Sequence, residues 1–420
     1  MKNNFSIDEN SISIYFEKDF FQILEHDVLP PDGDCIKAIA LVRDKEGTPL
    51  PNVSVAIIEK EHAYFDHVNI YHSDKETPVR IQKIVSNLNT FIITSNNNGE
   101  LIFYVYPKKL TPLIFQVDSM VINVTGRISS KNKIYIIDNN KEDLTLPPPD
   151  ILGDDGKLWV NPSSNFFTLL IQDYPDAKIN DTILFFIDNK YVNKFFVVED
   201  ISALENSYMT FPYNLLTKNK SVNFSYTIVN NIGLTRSSTP KSITYSGGAY
   251  NQPTANLERT YDSCIVYSSD GDSDDKNMVN TSIVEKDIAH RCKNSHHEGL
   301  FVKIIGTSDH KDKTKVPFGA EVILNLYVNN YPNTVYQSKL KLMPSQPDSH
   351  DSNTATLLFG IPFNYVGHID NGEIYFDFQV NYYGDISYGQ IWQASLHTVR
   401  PGGELPGDAC PDGVTWSGIW

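Results

Sequence analysis

Apolar residues along this chain recur with a period of two or bunch into runs of strand length, and a helical period is scarce. Val222–Ile228 reads VNFSYTI and Ile374–Val380 reads IYFDFQV, each the strict alternation of a strand with one buried face. Leu101–Tyr106 (LIFYVY), Ile183–Ile187 (ILFFI) and Phe195–Val198 (FFVV) are unbroken apolar runs, expected for strands inside a sandwich. Ile36–Val42 adds a shorter run and Val53–Ile58 a weaker alternation. Helix is expected only as one turn at Asp200–Leu204 and a short segment at Thr281–Arg291. The pattern predicts an all-β chain of face-to-face sheets.

Breakers divide it. Leu146-Pro147-Pro148-Pro149 reads as a stiff linker, because consecutive prolines favour an extended left-handed helix. Ser246-Gly247-Gly248-Ala249 reads as a flexible break, and Pro401-Gly402-Gly403 ends the last strand-rich stretch. The expected modules are therefore 1–146, 147–247 and 248–402, the last with an inserted loop at 261–298, followed by a tail at 403–420. An internal recurrence supports this division. Phe211-Pro212-Tyr213-Asn214 returns as Ile361-Pro362-Phe363-Asn364, with Pro212 and Pro362 150 positions apart. Each copy precedes one of the two alternating strands and follows a strand entered through a polar turn, Asn180-Asp181-Thr182 or Phe318-Gly319-Ala320-Glu321. Tandem domains of one type are the simplest account. Proline cannot donate a ladder hydrogen bond, so both positions read as sheet corners with an architectural role.

Composition narrows the function classes. Of the 420 residues, 40% are hydrophobic, 20% charged and 12% aromatic, which places the chain among ordinary globular proteins rather than disordered or membrane-spanning ones. The formal charge of −16 argues against nucleic acid as a partner, since phosphate backbones attract Lys and Arg. No stretch of about 18 apolar residues suggests a membrane span. The opening MKNNFSIDENSISIYFEKDFF carries Asp8, Glu9 and Glu17 where a secretion signal would be apolar. The expected location is extracellular or cell-surface by a signal-independent route, with the cytoplasm as the alternative.

Gly47-Thr48-Pro49-Leu50-Pro51-Asn52-Val53, followed by Thr94-Ser95-Asn96-Asn97-Asn98-Gly99-Glu100 before a strand, resembles the bacterial Ig-like repeat of invasin- and intimin-type adhesins. The second module is similar to another bacterial Ig-like repeat found in tandem in large surface proteins. There the resemblance rests on Pro147-Pro148-Pro149, Asp155-Gly156-Lys157-Leu158, Asn180-Asp181-Thr182-Ile183, Tyr226 with Thr227, and Arg236-Ser237-Ser238. This sequence has Asn180 where that repeat usually has Gly. The resemblance spans roughly residues 35–400. It implies tandem immunoglobulin-like β-sandwich domains with no catalytic residues, and it fixes no ligand.

Several constellations invite chemistry. Asp270, Asp272 and Asp274 lie in a dense acidic run, and alternating carboxylates in a tight loop suit calcium. Counted from Asp270, the sixth and twelfth places of a calcium-loop motif hold Asp275 and Thr281 instead of Gly and Glu, so a solvated acidic loop is the plainer reading. His290, Cys292 and His296 carry zinc-ligand spacing, and Cys264 would be a fourth ligand. Cys264 and Cys292 are alternatively a disulfide pair. No resident cofactor is expected, with calcium or zinc as the alternatives. No phosphate loop, dinucleotide fingerprint or nucleophile elbow occurs, so nothing specific proposes an enzyme.

For binding, His62, Tyr64, His67 and Tyr71 form an aromatic and polar stretch in the first module, and rigid amphipathic rings suit a contact surface. Trp416 and Trp420 crowd the tail, where they either fold back or dock onto a partner. The expected function is a non-enzymatic adhesion or recognition protein that binds a protein or glycan ligand. The alternative is a structural or assembly subunit or spacer of a larger secreted complex or toxin. A third reading is a toxin or effector with an unrecognised activity around 250–300. The further partner expectations are a homo-oligomer or docking into a larger assembly.

Overall fold

The computed structural model describes residues 7–399 apart from 24–29, 31–32, 61–63, 86, 109–111, 138–143, 155–156, 159, 161–163, 203, 205–207, 231–232, 273, 289–297, 331–332 and 350–351. Strand dominates the described residues, and their helices are single turns of three or four residues. Packing divides the chain into two compact units. One comprises Met1–Leu158, Thr168–Phe211 and Lys220–Thr244, and the other Trp159–Phe167, Pro212–Asn219 and Tyr245–Trp420.

Within the first unit, one sheet orders Tyr15–Phe16, Ile36–Leu41, Glu100–Pro107 and Val68–His72. A second orders Ile128–Ser129, Val117–Met120, Ser54–Glu59, Leu88–Thr94 and Gln82–Val85. Their facing sides bury Phe16, Phe65, Phe91, Phe103 and Phe115 in one core. Phe91 meets Phe103 edge-on at 5.2 Å, and each fully buried ring contributes roughly 1.5–3 kcal/mol of transfer free energy. The turn before Glu100–Pro107 works through Asn96, whose Oδ1 accepts the N–H of both Asn98 and Glu100 at 2.9 Å. Gly99 supplies the left-handed step, φ +80°. A Cβ there would lie 2.9 Å from the Val42 carbonyl oxygen, so glycine is required.

The same unit contains a sheet ordered Leu144–Leu146, Thr235–Ser238, Ser221–Val229, Thr182–Ile187 and Lys190–Val197, with Lys241–Thr244 also paired to Ser221–Val229. In the second unit another sheet orders Arg259–Tyr261, Asp385–Gly389, Gly372–Tyr382, Glu321–Asn330 and Asn333–Leu342, with Trp392–His397 also paired to Gly372–Tyr382. The two orders correspond strand for strand. In both, the short leading strand runs parallel to a late one and the remaining neighbours along the order are antiparallel. This is the arrangement of immunoglobulin-type sandwiches, so the fold is all-β with tandem immunoglobulin-like sandwiches. Asn180, standing where glycine is usual, takes φ +72°, a left-handed conformation that asparagine tolerates.

Three local expectations change in the folded chain. Phe195–Val198 does not form a core strand, because Lys190–Val197 sits at a sheet edge, where Phe195 is 50% exposed. Ser221–Val229 alternates at first but then buries both faces. Its outward Val229 joins Tyr135, Ile137, Leu184 and Phe186 in a separate apolar seal inside the first unit, with Phe20 edge-on to Phe186 at 5.5 Å. Thr281–Arg291 is mostly not helix: it holds the strand Ser282–Val284 and one turn at Glu285–Ile288, and 289–291 lie outside the described residues.

Both edge strands carry the same protective device. Lys194 on Lys190–Val197 is exposed, but its Nζ folds back to donate to the Thr210 carbonyl at 2.5 Å and lies 4.8 Å from the Phe211 ring centre. Lys341 on Asn333–Leu342 donates to the Leu358 carbonyl at 2.7 Å and lies 5.1 Å from the Phe359 ring centre. An inward-pointing cation on an edge strand resists pairing with another strand, because the addition would strand a charge in an apolar seam.

Candidate functional site: a tyrosine-lined cleft in the second unit

The two proline corners seen in the sequence both end strands. Pro212 closes Tyr208–Pro212 and precedes the single turn Tyr213–Leu215; Pro362 closes Thr354–Pro362 and precedes the single turn Phe363–Val366. Each holds an extended backbone, with ψ 140°, and so launches its turn without a side-chain cap. These turns carry Tyr213 and Tyr365, and both line a cleft of about 460 Å³ in the second unit.

One wall is a tyrosine pair. Tyr213 stacks on Tyr245 with ring centres 5.3 Å apart and planes 20° from parallel. The Asn219 N–H donates to the Tyr245 carbonyl at 2.7 Å, and the Leu216 N–H closes the turn onto the Tyr213 carbonyl at 3.0 Å. After Tyr245 the chain passes through Gly247 and Gly248, both with positive φ, to Ala249, which is buried. A Cβ on Gly247 would lie 2.8 Å from the Lys218 methylenes, so the glycine lets that side chain run alongside. Gly247 therefore serves a packed turn, whereas a Cβ on Gly248 would meet nothing within 4 Å.

Val335, Tyr336, Gln337 and Ser338 of the edge strand Asn333–Leu342 also line the cleft, as does Asn251. Their placement rests on a buried polar network. The Asn251 N–H donates to Asn329 Oδ1 at 2.8 Å, and Asn329 Nδ2 returns a bond to the Asn251 carbonyl at 2.6 Å. The Tyr336 hydroxyl donates to Asn325 Oδ1 at 3.0 Å, and Asn325 Nδ2 donates to Asp377 Oδ1 at 3.0 Å. Asp377 also accepts from Arg259 Nη2 at 2.9 Å, and the side chains of that ion pair are only 3% and 7% exposed. Beside it the Tyr250 hydroxyl bonds the Glu373 carboxylate and the Tyr375 hydroxyl. The stretch carrying Tyr250 and Arg259 thus covers the outward face of Gly372–Tyr382. This explains why Tyr375 and Asp377 are buried although the sequence read that strand as half-buried.

Electrostatically the cleft is nearly neutral. Lys218 is its sole formal charge among the described lining residues, although the whole chain carries −16. Burial pushes the Tyr336 phenol above its usual range, and the Ser338 hydrogen bond opposes this only in part. Burial raises the Tyr365 phenol as well. Both therefore remain protonated hydroxyls across the physiological range. The side chains of Asn214, Thr217, Asn251 and Gln337 make no hydrogen bond among the described residues. The arrangement can stack flat faces on rings and satisfy hydroxyls or amides at its rim.

The residues singled out from sequence lie elsewhere. His62 falls outside the described residues. Tyr64 packs towards the first core, 6.4 Å from Phe115, while His67 ends the turn Tyr64–His67 in solvent. Tyr71 meets Tyr106 edge-on at 5.4 Å, on the side of Val68–His72 opposite the buried Val68 and Ile70. Tyr64 packs inward from the same single turn that leaves His67 in solvent, and only Tyr71 stands on the strand that follows. In the acidic run, Asp272 lies 3.7 Å from the Lys303 ammonium, and Asp274 Oδ1 accepts the Lys276 N–H at 2.9 Å, capping the turn Asp275–Asn277. Asp270 is tied in through its own N–H to Ser268 Oγ at 3.4 Å. Among the described residues no three His, Cys, Asp or Glu side chains converge as a metal site. Cys264 is buried, and burial holds its thiol above the ordinary range. His290, Cys292, His296, Trp416 and Trp420 lie outside the described residues, as does the proposed partner of Cys264. None of the cleft residues was singled out for binding from sequence. The available signal was the recurring proline corner with a tyrosine one and three positions on.

No family profile matches the chain, and no curated protein matches it. Among solved structures it is similar to dimeric latent PorU from Porphyromonas gingivalis, at 11% identity and TM-score 0.18, over 94% of this chain and 34% of that one. It thus spans about a third of that protein. It is similar to InvD from Yersinia pseudotuberculosis, at 10% identity and TM-score 0.20, over 92% of this chain and 97% of that one. It is also similar to invasin, described as a bacterial integrin-binding protein, at 12% identity and TM-score 0.18, over 92% of this chain and 60% of that one. Likeness at these TM-scores carries no argument about ligand or activity, and the sandwich fold stands on the sheets of this chain. No helix among the described residues is long and apolar enough to cross a membrane.

Proposed function

We propose that this chain is a non-enzymatic recognition protein of tandem immunoglobulin-like modules, at 1–146, 147–247 and 248–402, working at a cell surface or outside the cell. It engages a protein or glycan ligand through the tyrosine-lined cleft. One observation carries the reading: Asn214, Thr217, Asn251 and Gln337 line a cleft walled by tyrosines, yet make no hydrogen bond among the described residues. A fold that leaves so many amides and hydroxyls uncommitted beside rigid rings has the features of an adaptable contact surface. The test is to probe the full chain, labelled, against cultured cells and against glycan and protein arrays. Saturable binding to at least one of them is expected. Absence of binding to all three would refute the reading.

A second reading, a spacer or subunit of a larger assembly, is favoured by the aromatic seal of the first unit. Phe20, Tyr135, Phe186 and Tyr191 make a continuous apolar contact there, of the kind that stiffens neighbouring sheets against one another. Light scattering across a concentration series examines the assembly part of this reading. A constant monomeric mass counts against it.

A further inference from the structure

We infer that the cleft lined by Tyr213, Tyr245, Asn251, Tyr336, Gln337 and Tyr365 binds a neutral oligosaccharide. This rests on the recognition reading above and names its ligand class. A pyranose ring presents two kinds of surface, a patch of C–H groups on its face and a rim of hydroxyls that both donate and accept. An aromatic ring answers the first, since its negative face attracts the weakly positive C–H edge. Amide side chains answer the second, because each carries two N–H donors and a carbonyl acceptor. The cleft supplies both. The ring surface comes from Tyr336 and Tyr365, half-buried with part of each side chain still open; the Tyr213–Tyr245 stack, itself buried, firms one wall, and Asn251 and Gln337 reach the cleft uncommitted. Its volume of about 460 Å³ lies within the range of small-ligand sites and suits a short oligosaccharide segment.

Other ligand classes fit less well. An anionic ligand would find a single cation, the exposed Lys218, whose stem is laid along Gly247. A cationic ligand would find no carboxylate among the described lining residues. A peptide would be expected to extend the sheet at Asn333–Leu342, whose edge the cleft follows. Lys341 opposes that, because its ammonium is already turned under the strand onto the Leu358 carbonyl and the Phe359 ring. The scaffold behind the site is rigid where recognition needs it. Asn251 is held from both sides by Asn329, and Tyr336 is aimed by Asn325, Asp377 and Arg259, so little ordering remains to oppose binding.

The experiment is saturation-transfer NMR and calorimetry on the full chain with neutral hexasaccharides (cellohexaose, maltohexaose, mannohexaose, chitohexaose) and acidic ones (hexagalacturonate, a heparin hexasaccharide). At least one neutral probe should bind, with transfer strongest at ring C–H protons. The double variant Asn251→Ala with Gln337→Ala should weaken it about tenfold or more, because two hydrogen-bonding side chains are lost from the site. Neither side chain holds the fold together, so circular dichroism of the variant should match the parent. Three results overturn the assignment: binding only to acidic probes, binding to a neutral probe that the double variant leaves unchanged, or no response to any probe. If the chain ignores every neutral probe yet still binds cells or arrays, the saccharide assignment falls and the recognition reading stands. If it binds nothing in either experiment, both fall.

Discussion

Replacing Asp377 with alanine tests whether the buried network behind the cleft is held by charge. Asp377 accepts from Arg259 Nη2 at 2.9 Å, Asn325 Nδ2 at 3.0 Å and the Tyr327 hydroxyl at 3.3 Å. Without the carboxylate, the Arg259 guanidinium stays buried with its charge uncompensated, and its Nε already lacks a partner among the described residues. Removing one member of a buried pair costs about 3–5 kcal/mol, chiefly through the charge left behind. The three lost hydrogen bonds are not added to this, since they belong to the same network. With a guanidinium m-value of about 4 kcal/mol/M, the unfolding midpoint should fall by about 1 M. Trp392, packed 5.6 Å from Phe376 in the same sandwich, gives the fluorescence signal. Arg259→Met should cost less than Asp377→Ala, because the remaining carboxylate keeps its bonds from Asn325 and Tyr327. The combined variant should be more stable than the sum of the two predicts, by about 2 kcal/mol. Additive costs, or an Asp377→Ala midpoint within about 0.2 M of the parent, would refute the argument.

Three further outcomes are expected. Lys341→Ile should leave the monomer's melting midpoint near the parent value but raise self-association in sedimentation velocity, because the edge Asn333–Leu342 loses its inward charge. Unchanged sedimentation would count against edge protection. Hydrogen bonds from Lys315 and then Thr314 hold the Asp312 carboxyl down at about 2, well below its usual 3.8. Its contribution to stability should be fully present above about pH 4 and lost as the pH falls through about 2, and NMR titration of the carboxyl should show a midpoint that rises in Lys315→Ala. Gly99→Ala forces a Cβ against the Val42 carbonyl at φ +80° and should destabilise by more than about 1 kcal/mol, seen as a lower thermal midpoint. Gly126→Ala, with nothing within 4 Å of the added Cβ, should not.

Much of the architecture follows from the sequence alone. Alternation at Val222–Ile228 and Ile374–Val380 dictates strands, since a period of two places one set of side chains on one face whatever the neighbours are. The prolines at 212 and 362 dictate strand ends, because a residue without an N–H cannot continue a ladder. Gly99 allows a left-handed turn for the equally local reason that a residue without a Cβ adopts positive φ freely, whereas the close approach of the Val42 carbonyl that excludes a Cβ there is tertiary. Only the tertiary structure decided which faces meet. Phe195 looks like core and lies at an edge, and Asp377 looks like a solvent-facing polar residue and is buried against Arg259, 118 positions away in sequence. The cleft belongs to the same class: Tyr213 and Tyr365 share the proline corner, but nothing local links them to Tyr245 or Tyr336, and corner, stack and edge strand converge only after the sheets pair. Burial periodicity is a local property, carried by a few consecutive residues. A site assembled from distant strands depends on register and sheet order, which long-range pairing alone fixes.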